Sequence, residues 1–392
     1  MINVLMGILS IAVLIVIGII FSKDRKAINY KIIIPGLLVQ IILAVFVLKV
    51  PIGQKILITI ANGLNSVISN GFDGVKFVFG DLSNGFVFAI NVLGLIVFTS
   101  ALVSLLYYLK ILPVFVNVIG KAVSKIMGTT LAESFNAVGN IFLGATEAPI
   151  LIKPYLNGLT NSELFAVMSA GFGSASAAIL GGYTMMGIDA RYLLIAIFSV
   201  PFSSLMMSKI LFPEEKGLER KDVVLEKSSA KNVFDAIGEG TGQGLFLALN
   251  VGAALIAFIG LMALINTILG FFGLSISSIL SIIFRPISYL FNIPANEASA
   301  FASLIGTKLS VNEFVAFSDM SAILKTLSPR TIAILSVALC NFANFGAIGI
   351  QIGGFSILAP DKKEEVTNYG LRALLCGTLS TLVTAAIVGM LV

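Results

Sequence analysis

Between Glu133 and Pro154 an apolar stretch carries Glu133, Asn136, Asn140, Thr146 and Glu147, and its centre reads Gly144-Ala145-Thr146-Glu147-Ala148-Pro149. Carboxylates, carboxamides and a hydroxyl in such a setting share one chemistry. They offer oxygen ligands to a small cation and hydrogen bonds to a polar solute. A carboxylate at the centre of a bilayer costs between ~3 and ~17 kcal/mol, depending on its access to water or a partner, so it marks a site by default. Gly144 is suited to end one half-helix and Pro149 to open the next, where its missing N–H costs nothing. The spacing therefore predicts a helical hairpin with its tip inside the membrane. Unwound backbone at that depth survives only when buried in protein or lining a wet cavity, so the tip faces substrate.

The elements that position these residues follow from composition. Of 392 residues 57% are hydrophobic and 11% charged, with a mean hydropathy of +1.03. An ordinary soluble domain carries about 25% charged residues. Many apolar runs are long enough to cross a ~30 Å hydrocarbon core, which predicts a polytopic, multi-pass protein of the cell membrane. The first run, Ile2 to Phe21, has neither a basic segment before it nor a small-residue cleavage site after it, and is expected to be a retained helix. The net charge of +5 comes from Lys and Arg in short loops, which points to topology rather than to nucleic acid. There is no histidine and no tryptophan, which removes His-based triads and His metal sites. Cys340 and Cys376 lie in separate apolar segments without metal-type spacing and read as small buried hydrophobes.

Taken in order, spans are expected at Ile2 to Phe21 and Ile32 to Val50, joined by a loop with Lys23, Arg25, Lys26 and Lys31 that belongs in the cytoplasm. Ile52 to Asp81 reads as an amphipathic interfacial helix. A third span runs from Phe86 to Leu109, and a shorter segment from Pro113 to Met127. The first hairpin closes at Lys153 and Pro154. Thr160-Asn161-Ser162-Glu163 has the form of a helix-start cap, and the helix it opens is interrupted by small residues from Gly171 to Gly182. A span at Arg191 to Phe212 leads into the basic loop Pro213 to Lys231, then Gly244 to Phe271 spans again and Ser275 to Phe291 lies along the outer surface. The first pattern then returns. Glu297 opens a segment expected to break at Gly306-Thr307-Lys308 before Asn312-Glu313, and Ser328-Pro329-Arg330 caps a helix interrupted at Asn341-Phe342-Ala343-Asn344-Phe345-Gly346-Ala347 and ending at Gly353-Gly354. The loop Asp361 to Asn368 is cytoplasmic, and one last span reaches Val392.

This yields an all-α fold of about eight transmembrane helices, two re-entrant hairpins and interfacial helices. Residues 1–127 supply scaffold spans and the interfacial helix. Residues 128–212 hold the first hairpin, its broken helix and a span; 213–292 hold a cytoplasmic loop, a scaffold span and the outer helix; 293–392 hold the second hairpin, its broken helix and the last span. Positive-inside counting makes the two hairpins enter from opposite sides, the inverted-repeat plan of secondary transporters, with substrate between the tips.

Three stretches resemble a known family. Gly144 to Pro149 is similar to the Gly-Gln-Thr-Glu-Ala-Pro motif of the concentrative nucleoside transporters. Gly306 to Ala316 resembles that family's Gly-x-Lys followed after three residues by Asn-Glu-Phe-Val-Ala, and Phe342-Ala343-Asn344-Phe345 resembles its Phe-Ala-Asn-Phe-Ser-Ser. The agreement in order and spacing covers essentially the whole chain. The resemblance implies a homotrimer that takes up nucleosides. It assigns Gly144, Ala145, Thr146, Glu147 and Ala178 to the base side of the substrate, and Glu313, Phe342, Asn344 and Ala347 to the ribose side. It also implies a sodium ion held by the Asn140 and Ser174 side chains and the Leu143 and Ala175 carbonyls. A carboxylate accepting ribose hydroxyls suits Glu313, since such charge-assisted bonds are worth ~1.5 to 3 kcal/mol.

The sequence departs from the family in three places. The family's Gln is Ala145, its Gly-Ser after the first broken helix is Ala177-Ala178, and its Ser-Ser is Gly346-Ala347. Members with an apolar residue at the first of these positions lean toward purine nucleosides, so the resemblance implies a purine-preferring symporter with no organic cofactor. Alternatives stay open. Asn140 and Ser174 have a second reading as caps for broken backbone, with Glu133 or another carboxylate carrying a proton. Broad or pyrimidine selectivity, or transport of free nucleobases, also fits the polar residues. An intramembrane enzyme using Glu147 and Glu313 as acid and base lacks a nucleophile motif, and a channel requires a continuous pore.

Overall fold

The computed structural model describes residues 2–85, 87–91, 93–146, 148–175, 183–184, 186–214 and 230–392. All its regular elements are helical. The chain runs through α1 (Ile2–Ile20), α2 (Ile33–Lys49), α3 (Pro51–Phe79), α4 (Phe88–Asn91), α5 (Leu93–Tyr108) and α6 (Ile111–Met127) into α7 (Leu131–Phe142). A 3-10 segment, Ala148–Gly158, then leads to α8 (Asn161–Gly173) and α9 (Ala190–Leu211). The second half comprises α10 (Val233–Gly270), α11 (Ile276–Leu290), α12 (Ala298–Ser310), α13 (Glu313–Ile323), α14 (Pro329–Leu339), α15 (Phe345–Leu358) and α16 (Lys363–Leu391).

Five helical stretches among the described residues are long and apolar enough to cross a bilayer: Ile2–Ile20, Tyr30–Lys49, Ala89–Tyr108, Ala190–Leu211 and Pro360–Leu391. With the 38-residue α10 and the α14–α15 pair they account for seven of the eight predicted spans among the described residues, and α8 forms the first half of the eighth. The stretches Ala190–Leu211 and Pro360–Leu391 are 83% buried, against 28% or less for the other three. A helix apolar all round is either buried or lipid-facing, and here α9 and α16 form the centre while α1, α2 and α5 form the outer scaffold.

The inverted plan shows in what gathers at each end. At one end Lys209 of α9 pairs with Glu133 and donates to Ser162 Oγ at 2.8 Å. The Thr160 hydroxyl donates to Glu214 at 2.7 Å, and the Lys23 amide donates to the Leu211 carbonyl at 2.8 Å. Lys362 lines one cleft with residues 158–162 and Glu214. The loops expected in the cytoplasm therefore meet at the base of the first hairpin. At the opposite end Asn292 donates to Asn3 at 2.9 Å. There Arg330 donates to the Phe291 carbonyl at 2.7 Å and to the Gly389 carbonyl at 3.1 Å, while Glu297 accepts from the Ser328 amide and hydroxyl at 3.0 and 2.9 Å. This is the base of the second hairpin. The two hairpins enter from opposite sides.

Local signals explain most boundaries. Thr160 and Glu163 form a reciprocal capping box, and Ser328 caps α14 through the Thr331 amide; each satisfies helix-start donors that lack partners in the helix. Gly144 turns the first hairpin with φ +127°, a conformation that favours glycine. Three expectations need correction. The first hairpin's second arm is 3-10 rather than α, is kinked at Ile152, and continues past Pro154 to Gly158. In the second hairpin the helix runs through Gly306-Thr307-Lys308 and ends at Ser310, so the break falls at Val311-Asn312. Gly306 serves packing instead, since a Cβ there would meet the Ser277 carbonyl oxygen at 2.6 Å. Finally α15 continues beyond Gly353-Gly354 to Leu358.

Candidate functional site

The two broken helices meet at their breaks. α8 ends at Gly173, and Ser174 leaves the helix with extended φ/ψ of −87° and 151°. Its carbonyl, freed from the helix ladder, accepts the Phe342 amide at 2.8 Å. Phe342 belongs to the interruption between α14 and α15, which the Asn341 side chain braces by donating to the Gly377 carbonyl at 2.9 Å and to Thr381 on α16. A Cβ on Gly377 would come within 2.7 Å of the Phe172 Cβ, so α16 presses its backbone against the end of α8. Close approach of this kind is what small residues permit inside a membrane.

The first hairpin tip lies against this junction. Asn136 donates to the Val167 carbonyl at 3.0 Å, fastening α7 to α8. One turn on, Asn140 Oδ1 accepts the Ser174 hydroxyl at 3.2 Å, and both residues are wholly buried. Leu143 closes α7, and Ala175 follows the cap residue of α8. The four residues expected to hold sodium thus include two side-chain oxygens in contact and two backbone positions at helix ends. Side-chain and carbonyl oxygens are the donors a hard cation prefers.

On the second side, Glu313 is the first residue of α13, which Asn312 caps through the Val315 amide at 2.9 Å. A carboxylate there faces the positive end of the helix dipole. Oε1 of Glu313 accepts the Tyr183 hydroxyl at 3.3 Å, and the Tyr183 ring packs on Phe317 with centroids 4.4 Å apart. Among the described residues Oε2 of Glu313 has no hydrogen-bond partner although the residue is buried. Asn344 caps α15 through the Ala347 amide at 2.8 Å, which orients its side chain beside the Phe342 junction. Ala145 and Thr146 line a narrow cleft with Pro149, Gln351 and Gly354, so the tip faces α15.

Glu133 is not at the tip. It sits at the start of α7, accepting the Thr130 amide at 2.8 Å and paired with Lys209, so its charge is matched at the hairpin base. Glu147, Ala177 and Ala178 lie outside the described residues. Tyr183, Lys209 and Gln351 escaped the sequence reading. Gln351 and Lys209 each interrupt an apolar helix, which was the available signal; Tyr183 carries none.

Three family models match almost end to end: Na+ dependent nucleoside transporter N-terminus over residues 9–82, Nucleoside recognition over residues 89–190, and Na+ dependent nucleoside transporter C-terminus over residues 192–389. The chain belongs to the concentrative nucleoside transporter family. It is 42% identical to nucleoside permease NupC of Helicobacter pylori, covering 99% of this chain and 98% of that one. It is 33% identical to sodium/nucleoside cotransporter 1 of Sus scrofa, covering 94% of this chain and 61% of that protein. Among solved structures it matches a doubly substituted CNTnw in an outward-facing state with a TM-score of 0.91, at 40% identity and 99% coverage of both chains. Against CNTnw in an inward-facing substrate-bound state the TM-score is 0.83, at 40% identity, covering 99% of this chain and 97% of that one. As a member of this transporter family the chain is a multi-pass protein of the plasma membrane.

Proposed function

We propose that this transporter is a sodium-driven symporter that imports nucleosides, preferring purine nucleosides, and that it works as a homotrimer. The observation that carries the reading is the joint between the Ser174 carbonyl and the Phe342 amide, because it brings Asn140, Ser174 and the first hairpin tip beside Asn344 and the second repeat. An ion held at Asn140, Ser174, Leu143 and Ala175 would fix the end of α8, and through Ser174 the position of Phe342. Binding of ion and solute would then be coupled through one rigid junction.

Glu313 offers an oxygen without a protein partner among the described residues, suited to accept ribose hydroxyls, with Asn344 and Phe342 alongside and Ala347 one turn further on. Ala145, Thr146, Glu147, Gly144 and Ala178 take the base side. One charge moving down ~100 mV supplies ~2.3 kcal/mol, enough for roughly 50-fold accumulation. The pairing of Glu133 with Lys209 and the Thr130 amide favours sodium over a proton carried by Glu133, since a carboxylate with matched charge is poorly placed to shuttle.

The test is uptake of labelled inosine into proteoliposomes under a sodium gradient and in choline buffer. Uptake that saturates, needs sodium and collapses when the gradient is dissipated is the expected result. Equal uptake without sodium at acid pH would replace sodium by protons, and competition by free bases at the concentrations of their nucleosides would replace the substrate class.

A further inference from the structure

Of the buried amide side chains among the described residues, Gln40, Asn136, Asn140, Asn341, Asn344 and Gln351, three can be compared. Gln40 donates to the Gly36 carbonyl at 2.8 Å and accepts the Thr384 hydroxyl at 2.8 Å. Asn341 donates to Gly377 and Thr381 and accepts the Ala343 amide at 3.2 Å. Gln351 is 3% exposed yet its amide makes no hydrogen bond among the described residues. Nearby on the same helix, Ser356 spends its hydroxyl on the Ile352 carbonyl at 2.7 Å, so α15 satisfies its other interior polar group locally. The amide is not one of the fully buried unpartnered groups; it borders a cleft, where a polar partner entering from outside can pair it.

The position of Gln351 says where that partner sits. It lies four residues after Ala347, on the same face of α15, and it lines the cleft with Ala145, Thr146 and Pro149 of the first hairpin tip. A Cβ built on Gly171 would stand 2.3 Å from Gln351 Nε2 and 3.3 Å from the Ala145 Cβ. The amide therefore packs on the Gly171 backbone beside the Ala145 methyl, an approach possible because residue 171 has no side chain. The hairpin has no carboxamide at position 145, and one is delivered to the same place from the opposite repeat.

We propose that Gln351 is a specificity-determining residue that reads the six-position edge of a purine base at the first hairpin tip. This rests on the nucleoside reading proposed above. A carboxamide presents a donor and an acceptor side by side, which matches the amino group and ring N7 of adenine in a bidentate pair. Entering from α15 instead of from the tip, it leaves only the Ala145 methyl on the tip side of the base.

Competition against labelled inosine in proteoliposomes tests this, with adenosine and purine riboside, which carries hydrogen at position 6, as competitors. The wild type is expected to prefer adenosine by about five- to tenfold, the worth of one net hydrogen bond. In Gln351→Leu that ratio falls to about one while the sodium half-saturation is unchanged. Gly171→Ala, which displaces the amide and keeps it in the chain, is expected to lower the ratio likewise. Gln351→Met supplies the same comparison if the leucine variant does not reach the membrane. An unchanged ratio in these variants, or an equal loss for both competitors, overturns the role of Gln351 while leaving nucleoside transport standing. A wild type that no nucleoside competes against overturns the substrate reading itself.

Discussion

The Phe342 amide donates to the Ser174 carbonyl across 2.8 Å, so the break in each repeat supplies the hydrogen-bond partner that the other needs. Neither group has a place in a helix ladder at that point, and each would be an orphan at membrane depth without the other. Ser174 also touches Asn140 through its hydroxyl, which links the hairpin tip to the same joint. In the function proposed above, ion and solute binding are coupled through these few atoms.

Sodium dependence is the first consequence. Asn140→Ala or Ser174→Ala removes one side-chain oxygen from the joint, and each is expected to raise the sodium concentration for half-maximal uptake several-fold with membrane expression retained. Titrating uptake against sodium at fixed nucleoside measures this. Sodium curves that superimpose on the wild type would return both residues to capping broken backbone.

Glu313→Gln keeps the shape of the side chain and the Tyr183 contact but removes the charge. If ribose hydroxyls use the free oxygen, binding weakens ten- to a hundredfold, about 1.4 to 2.8 kcal/mol. The 2′-deoxy form of the substrate is expected to lose less from this change than the ribonucleoside. Wild-type affinity for both would assign Glu313 to the helix start alone.

The pair at the hairpin base predicts a stability effect. Glu133 and the Lys209 side chain are both buried, and removing one member of such a pair costs about 3 to 5 kcal/mol because the other charge is left uncompensated. Lys209→Met is expected to lower the melting temperature in detergent clearly, and adding Glu133→Gln should recover part of the loss. A single variant that melts with the wild type would show that water reaches the remaining charge.

Packing at the joint makes a sharper comparison between two glycines. A Cβ on Gly377 meets Phe172 backbone and side chain at 2.7 to 2.8 Å, whereas one on Gly260 meets nothing within 4 Å. Gly377→Ala is expected to cost about 1 to 3 kcal/mol through overpacking, and Gly260→Ala to be neutral or slightly stabilising through helix propensity. Thermal melting of the two variants side by side decides it. Equal melting would mean that α8 and α16 separate freely.

These outcomes also mark what the sequence makes legible. Caps are local, so Thr160-Glu163 and Ser328 announced their helices, and the interruptions at Ser174 and Asn341 showed as polar and small residues in apolar runs. Gly306 misled because a glycine that admits a neighbouring helix and one that ends its own helix read alike. Glu133 gave away its burial but not its partner, since Lys209 stands 76 positions later and only the fold brings them together. Gln351 was visible as a lone amide in an apolar helix, but its neighbour at Ala145 belongs to the other repeat.

Base selectivity draws on both sides of the cleft. Ala145 offers no side-chain hydrogen bond and little bulk, and Gly171 behind it is covered directly by the Gln351 amide, which a Cβ there would displace. A purine seated against Ala145 buries a second ring that a pyrimidine lacks; at ~25 cal/mol per Å2 the additional contact contributes about 1 kcal/mol, roughly fivefold in affinity. Inosine is therefore expected to compete at lower concentration than uridine against the same labelled nucleoside. Ala145→Gln brings a second carboxamide into the volume that Gln351 borders, narrowing the cleft and offering a donor and an acceptor to a smaller base. That variant is expected to move the balance toward uridine, and combining it with Gln351→Leu should move it further, because only the new carboxamide is then left to read the base. Uridine competing below inosine in the wild type would show that the space beside Ala145 is filled in the substrate-bound state, and the preference would then have to come from Thr146 and Glu147 alone.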